Sequence, residues 1–174
     1  MTMQRRLFFN AACAAAGTVA VTSLGGCGFK LREAPKFAFA SIYISAPVSS
    51  PFGLELQRNL EYSGSLKVVR EVNAETPADV TFDVVSELRD RIVVGINASG
   101  QVRELQLRLR TTFRLRTPGG KELIAPTEVV QQRDVSYRET IALAKEAEEA
   151  LLYRNMQTDI VQQIVRRLAA LKSL

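Results

Sequence analysis

The feature that most constrains the fold is a long alternation of apolar and polar side chains in the middle of the chain. Between residues 80 and 96 the even positions are mostly apolar, and the odd positions carry most of the charges. A period of two over that length predicts a long β-strand with one buried face, disturbed near Ser86 and Asp90. After a turn signal at residues 97–100 the alternation continues over residues 105–115, so the two runs are expected to pair as a long antiparallel hairpin.

Shorter patterns on both sides of this hairpin predict the remaining elements. In chain order they are a strand at 41–45, a helix that begins at Pro51 and stops at Gly64, a strand near 66–72, a strand at 121–137 interrupted by Pro126, and a long amphipathic helix at about 139–171. Ser49 or Ser50 can cap the first helix. The expected fold is α+β, a two-layer sandwich in which two helices cover one face of a mixed, largely antiparallel sheet of four or five strands.

The N-terminal segment has the layout of a lipoprotein export signal. Arg5 and Arg6 precede an uncharged apolar run, and the run ends in Leu24-Gly25-Gly26-Cys27, where a thiol follows two small residues. A retained membrane-spanning helix beside a coincidental cysteine is the alternative, but polar residues dilute the run and make it the weaker interpretation. We therefore expect residues 1–26 to be a signal peptide that is removed before Cys27.

Lipidation of Cys27 follows from this interpretation. The cysteine is expected to carry a diacylglycerol on its sulfur and an acyl chain such as palmitate on its nitrogen, which together suffice for stable membrane anchoring. Gly28, rather than aspartate, follows the cysteine, and by analogy with known lipoprotein sorting this favours the periplasmic side of the outer membrane. Residues 27–40, with Pro35, suit a lipidated tether, and residues 41–174 are expected to form a single domain.

Composition excludes several classes of function. Removal of the signal leaves 21 basic and 18 acidic residues, so the formal charge falls from +5 to +3, which does not indicate a nucleic-acid-binding protein. The expected mature chain has no free thiol, and the sequence has no histidine. A metal site and a histidine-dependent nucleophile are therefore not expected, and no pair of carboxylates indicates acid–base catalysis.

One strand of the predicted hairpin carries a row of cations on a single side. Its members are Arg108, Arg110, Arg114 and Arg116. Guanidinium groups in such a row can bind phosphates or a partner protein. They can equally be neutralised across the hairpin, because Ile96 opposite Arg103 would place Asp83 opposite Arg116 and Glu87 diagonal to Arg110 and Arg114. The sequence leaves both interpretations open.

Four segments, taken in order, resemble the LptE family of lipopolysaccharide-assembly lipoproteins. They are CGFKLR at 27–32, NASGQVREL at 97–105, QRDVSY at 132–137, and ALAKEAEE at 142–149 with Leu152 and Tyr153 after it. The similarity spans essentially the whole expected mature chain. Each segment alone is a loose match, but the ordered set is specific to the family.

The resemblance implies a role that composition could not show. LptE-like proteins are not enzymes and need no cofactor beyond the lipid: they plug the outer-membrane β-barrel LptD, bind lipopolysaccharide and help deliver it to the outer leaflet. Lys145 matches a basic residue associated with lipopolysaccharide binding. A second basic position at the hairpin tip is Ala98 here, and Arg103 is the candidate substitute. A lipoprotein adaptor of another envelope lipid-trafficking complex is the alternative function.

Overall fold

The computed structural model describes residues 35–47, 49–72, 77–136 and 142–174, with side chains described from Lys145 onward in the last range. The expected signal peptide and Cys27 lie outside these residues. The elements, in chain order, are β1 (Ser41–Ser45), α1 (Pro51–Tyr62), β2 (Lys67–Val69), β3 (Val80–Ile96), β4 (Val102–Arg116), β5 (Glu122–Ser136) and α2 (Ala142–Ala169).

The five strands form one mixed sheet in the order β2-β1-β3-β4-β5. β1 pairs in parallel with both β2 and β3, whereas β3, β4 and β5 form an antiparallel meander of long strands. The two helices contact each other, and α2 packs on β4 and β5. The predicted α+β sandwich with five strands and two helices is therefore confirmed.

Local sequence signals account for where these elements begin and end. The Ser50 side chain accepts a hydrogen bond from the backbone of Gly53 at 3.1 Å and caps α1, whose first helical residue is Pro51. Gly100 and Gly120 have positive φ angles of 78° and 86° in the two hairpin turns, a conformation that glycine adopts without steric cost.

The core lies between the sheet and the helices. Three aromatic side chains are fully buried in it, Phe52 of α1, Phe82 of β3 and Phe113 of β4, and the last two stack with ring centroids 5.1 Å apart. The largest fully buried aliphatic side chains are Ile42, Leu56, Leu60, Leu107, Leu109, Leu115, Met156, Ile160 and Ile164. The apolar spacing of three and four that predicted the long helix buries its C-terminal half at Ile160, Ile164 and Leu168, whereas Leu151 of the same pattern is 49% exposed.

The packed region begins before β1. Phe39 is buried in the core and Phe37 packs against it, although both lie in the segment that the sequence analysis assigned to the tether. The Asp79 carboxylate fixes this segment, because it accepts hydrogen bonds from the backbone of Ala40 at 2.8 Å and of Ser41 at 2.9 Å.

A β-bulge overturns part of the predicted burial pattern. Val84 pairs with Phe113 but Ser86 pairs with Thr112, so Val85 is an extra residue in β3. Before the bulge the even positions face the helices, as predicted. Beyond it the odd positions do, since Glu87 lies opposite the buried Thr111. The expectation of one continuous even-numbered buried face was therefore wrong for the distal half of the strand.

The pairing across the hairpin differs from the expected one in two places. Ile96 pairs with Val102 rather than Arg103 at the tip, where the register shifts between Val93 and Ile96. The bulge at Val85 adds a further shift, so Asp83 pairs with Arg114 rather than Arg116. Glu87 lies on the helix side, where its partner is Arg89 at 3.4 Å, and not diagonal to the arginine row. The predicted register was thus wrong, because it assumed a hairpin without irregularities.

β5 is the long edge strand of the sheet. Pro126 offers no N–H group. The Arg133 guanidinium donates to the backbone carbonyl of Gln132 at 2.9 Å, and the Thr127 hydroxyl donates to that of Ala125 at 2.7 Å. A proline in an edge strand disfavours pairing with an added strand.

We predict that Phe113→Ala lowers the free energy of unfolding by about 3–5 kcal/mol, because it leaves a cavity in a fully buried aromatic pair. Urea denaturation followed by circular dichroism measures this change. Val85→Ala, at the exposed bulge residue, is the control and should change stability by less than about 0.5 kcal/mol. Equal effects of the two substitutions would contradict the described core.

Candidate functional site

The arginine row lies on the face of the sheet that points away from the helices, which we call the outer face. The alternate residues of β4 on the other side, such as Leu107 and Leu109, are buried under the helices. No helix covers the outer face in the part of the chain that the structure describes. The predicted common orientation of the four guanidinium groups is therefore confirmed.

Asp83 neutralises one end of this row. Its Oδ2 atom accepts hydrogen bonds from the Nε atoms of Arg114 and Arg116, both at 2.8 Å. Burial of the carboxyl raises its pKa, but the hydrogen bonds and charges of Arg116 and Arg114 outweigh burial and hold the pKa below its ordinary value. Asp83 in turn raises the pKa of Arg116, so both of these groups are ionised in the neutral range.

The other two arginines, Arg110 and Arg108, differ in the charge of their partners. Arg110 forms an ion pair with Asp90, whose Oδ2 atom lies 2.8 Å from one terminal nitrogen and 3.0 Å from Nε. Arg108 donates instead to the neutral amide oxygen of Gln106 at 2.9 Å. Its Nε atom is buried without a hydrogen-bond partner among the described residues. Three of the four arginines thus pair with carboxylates within the chain, Asp83 being shared by two of them, which agrees with one of the two sequence interpretations.

Lys145 lies in the first turn of α2 and also has an internal partner. Its Nζ atom donates to the Glu148 carboxylate at 2.7 Å, and its side chain is 19% exposed whereas that of Glu148 is 49% exposed. An anion at this position would therefore have to compete with an accessible carboxylate. Such exchange is inexpensive, because exposed ion pairs stabilise a protein by less than about 1 kcal/mol.

Contacts between α2 and the distal half of β3 hold this end of the helix in place. Glu149 forms an ion pair with Arg91 at 3.1 Å. The Tyr153 hydroxyl donates to the backbone carbonyl of Asp90 at 2.8 Å, and the Arg89 guanidinium lies over the tyrosine ring at 5.4 Å. Burial and the nearby Glu149 raise the pKa of Tyr153, so its hydroxyl remains a donor at neutral pH.

The tip of the β3–β4 hairpin is an ordered, exposed turn. The Asn97 side-chain oxygen accepts hydrogen bonds from the backbone of Ser99 at 3.0 Å and of Gln101 at 2.9 Å. Ile96 is 66% exposed, and about half of Val93 and Val94 is exposed as well. Arg103 is exposed on β4 beside the tip and forms no ion pair with another described residue.

Two further features, a metal site and a membrane-spanning helix, are absent from the described residues. No group of three or more side chains among these residues could hold a metal ion. None of the described helices is long and apolar enough to span a membrane.

Comparison with known proteins identifies the family. The model of the family described as "LptE: Lipopolysaccharide-assembly" matches residues 39–168. The chain belongs to the LptE family. It is 30% identical over 151 residues to an LPS-assembly lipoprotein LptE from Pectobacterium atrosepticum, covering 86% of this chain and 80% of that protein. A Yersinia pestis relative of the same name is also 30% identical, over 86% of this chain and 72% of its own length.

Solved structures agree with this assignment. A lipoprotein B from Nitrosomonas europaea is 35% identical, with a TM-score of 0.69 over 82% of this chain and 91% of that one. Rare lipoprotein B from Shewanella oneidensis is 20% identical, with a TM-score of 0.64 over 75% and 94% of the two chains, and it supports the fold alone. The resemblance expected from the sequence motifs is therefore confirmed.

Sequence reasoning missed several residues that organise these surfaces in this LptE-family protein. The sequence analysis assigned no role to Gln106, Asp90 or Tyr153. Gln106 bridges Arg108 and Asp134, since its amide nitrogen also donates to the Asp134 carboxylate at 3.0 Å. The only sequence signal for the ion pair between Asp90 and Arg110 was the break in the apolar–polar alternation at Asp90.

We predict that Asp83→Asn lowers the free energy of unfolding by about 1 kcal/mol at pH 7, since partial exposure of both arginines screens the ion pairs. Because folding lowers the pKa of Asp83, its stabilisation is present above the ordinary carboxyl pKa and is lost as the pH falls through the lower folded value. The difference between the proteins should therefore shrink below about pH 4.

Urea denaturation between pH 7 and pH 2.5 tests this dependence. Glu128→Gln is the matched control, because it removes an exposed carboxylate from the same face of the sheet. It should change stability by less than about 0.5 kcal/mol. A stability difference for Asp83→Asn that stays constant over the whole range would show that Asp83 does not act through its charge.

Proposed function

We propose that this protein is a lipid-anchored subunit of the outer membrane that plugs the β-barrel LptD and binds lipopolysaccharide during its delivery to the outer leaflet. The anchor is the acylated Cys27, and the folded domain lies on the periplasmic side. The protein acts by fitting a partner and holding a charged glycolipid, without catalysis or a cofactor.

The observation that carries this proposal is the family match over residues 39–168, which includes the whole sheet and nearly all of α2. The curated relatives are named LPS-assembly lipoproteins, and the chain covers most of their length. The same match favours this function over an adaptor for a different lipid-trafficking complex. A co-purified inner-membrane transport complex in place of a barrel would favour the adaptor.

Lipopolysaccharide combines phosphates with acyl chains, and the domain offers groups suited to both. A phosphate can replace the Glu148 carboxylate at the Lys145 ammonium, because both are oxygen anions and the existing pair is partly exposed. Val93, Val94 and Ile96 present apolar surface at the hairpin tip for acyl chains. Arg103 adds a positive charge beside that tip.

A plug also needs a surface that fits a barrel wall. The outer face is suited to this, since it is broad, lacks a helix among the described elements and combines aliphatic side chains with internally neutralised arginines. Neutralised charges lower the desolvation cost of an interface compared with isolated charges.

Affinity purification of the acylated protein from mild detergent extracts tests the partnership. We expect a large β-barrel protein to remain bound after a wash with high salt, because salt screens loosely held ionic contacts but not a packed interface. The Cys27→Ser variant with its signal peptide retained controls for the contribution of the anchor. Recovery of the acylated wild-type protein without any barrel would contradict the proposal.

Direct titration with purified lipopolysaccharide tests the role of Lys145. We expect Lys145→Gln to weaken binding about three- to tenfold, as expected for one charge-assisted hydrogen bond near the surface. Glu148→Gln should strengthen binding, because it removes the carboxylate that competes for the ammonium.

Lys121→Gln, at an exposed lysine in the second hairpin turn, is the matched control and should leave the affinity within about twofold of wild type. Circular dichroism of each variant verifies that the domain is folded. Equal affinities for wild type, Lys145→Gln and Glu148→Gln would remove Lys145 from the binding site.

A further inference from the structure

The outer face contains aliphatic side chains between its charged groups. Leu88 of β3 lies opposite Arg110 and is 46% exposed, and Val130 of β5 lies on the other side of Arg110 and is 41% exposed. The next row on this face contains Arg108, and Ile92 lies opposite Gln106 in the row after that. The centre of the face thus resembles an interface core, in which arginine is surrounded by apolar area.

Arg108 is the cation on this face without a carboxylate partner in the described residues. Arg114 and Arg116 share Asp83, and Arg110 takes Asp90. The guanidinium of Arg108 has one hydrogen bond in the described residues, to the neutral Gln106 amide. A buried Nε atom without a partner disfavours this arrangement, because an unsatisfied buried donor costs free energy.

The strand register explains why Arg108 has no ion pair. Asp90 is its direct neighbour on β3, but the Asp90 carboxylate is bound by two nitrogens of Arg110. On the β5 side its neighbour is Gln132, which is uncharged. Asp134 is one row away, and the Gln106 amide lies between the two charges as a bridge.

We infer that Arg108 is the anchor of a protein–protein interface on the outer face, and that it binds a carboxylate set among aliphatic side chains of the partner surface. This inference rests on the proposed function, in which the partner is the barrel wall. Charge complementarity identifies the occupant: one arginine lacks a carboxylate partner, the other three are paired, and aliphatic side chains lie in the neighbouring rows. Asp83, Asp90, Glu128 and Asp134 lie on the same face as the four arginines, so a polyanionic lipid would instead find little net positive charge there.

Binding of the partner would change the hydrogen bonds of the Arg108 guanidinium. A carboxylate from the partner displaces the Gln106 amide and accepts two parallel hydrogen bonds from the guanidinium fork. Leu88 and Val130 in the row on one side of Arg108, and Ile92 in the row on the other, limit the access of water to this pair, which strengthens it. Loss of the Arg108 charge should therefore speed dissociation of the complex more than it slows association.

The test uses the full-length acylated protein in its native membrane. Arg108→Gln should lower the amount of partner retained after a high-salt wash about tenfold, and Arg108→Lys should restore only part of it because lysine lacks the planar fork. Arg154→Gln removes an exposed arginine from α2 and is the matched control, with retention expected to equal wild type. Thermal unfolding of the isolated variants checks that each domain is folded.

A photo-crosslinking residue at position 108, and separately at position 154, identifies what covers the outer face. We expect position 108 to crosslink to a barrel segment that contains an acidic residue and aliphatic neighbours. Arg108→Glu combined with arginine at that acidic residue should then restore the association. If the exchanged charges restore the association, position 108 pairs with that acidic residue of the barrel, because neither substitution alone restores the association.

Other outcomes overturn the inference in distinguishable ways. Crosslinks from position 108 to lipopolysaccharide or to a second copy of this chain would assign the face to a different occupant. Normal retention of the barrel by Arg108→Gln would refute the anchor while leaving the plug function intact. Failure of the wild-type protein to retain any barrel, together with no protein crosslink at position 108, would refute both.

Discussion

The rest of the structure depends on the extra residue in β3. The bulge at Val85 exchanges the two faces of the strand, so the proximal half supplies Phe82 and Val84 to the core while the distal half turns Leu88 and Asp90 outward. The same exchange turns Arg89 and Arg91 toward α2, where they meet Tyr153 and Glu149. One inserted residue therefore determines both the contacts of the N-terminal half of α2 with β3 and the composition of the outer face.

The fold could be predicted from the sequence because its signals are local and strong. Alternation over residues 105–115 has no interruption, and β4 buries the side that the pattern indicates. Ser50, Pro51 and the glycines of the turns act on their immediate neighbours, so their effect can be read without tertiary information. The register of β3 could not be read this way, because a bulge changes the partner of every later residue while altering the pattern at one position only.

The candidate site was less predictable, since it depends on which charges meet. The sequence placed the four arginines on one face, but it could not show that Arg110 takes the Asp90 carboxylate that lies opposite Arg108. Diagonal pairs of this kind depend on side-chain rotamers and on register, which composition does not encode. Lys145 was recognised from a family motif, whereas its pairing with Glu148 at one helical turn is a detail of side-chain geometry.

The proline in the edge strand β5 bears on self-association. A long unpaired strand can pair through its backbone with the same strand of a second copy, above all in a protein concentrated at a membrane as proposed for this one. Pro126 cannot donate a backbone hydrogen bond and so interrupts that template within the strand. A continuous sheet running through many copies is thereby disfavoured.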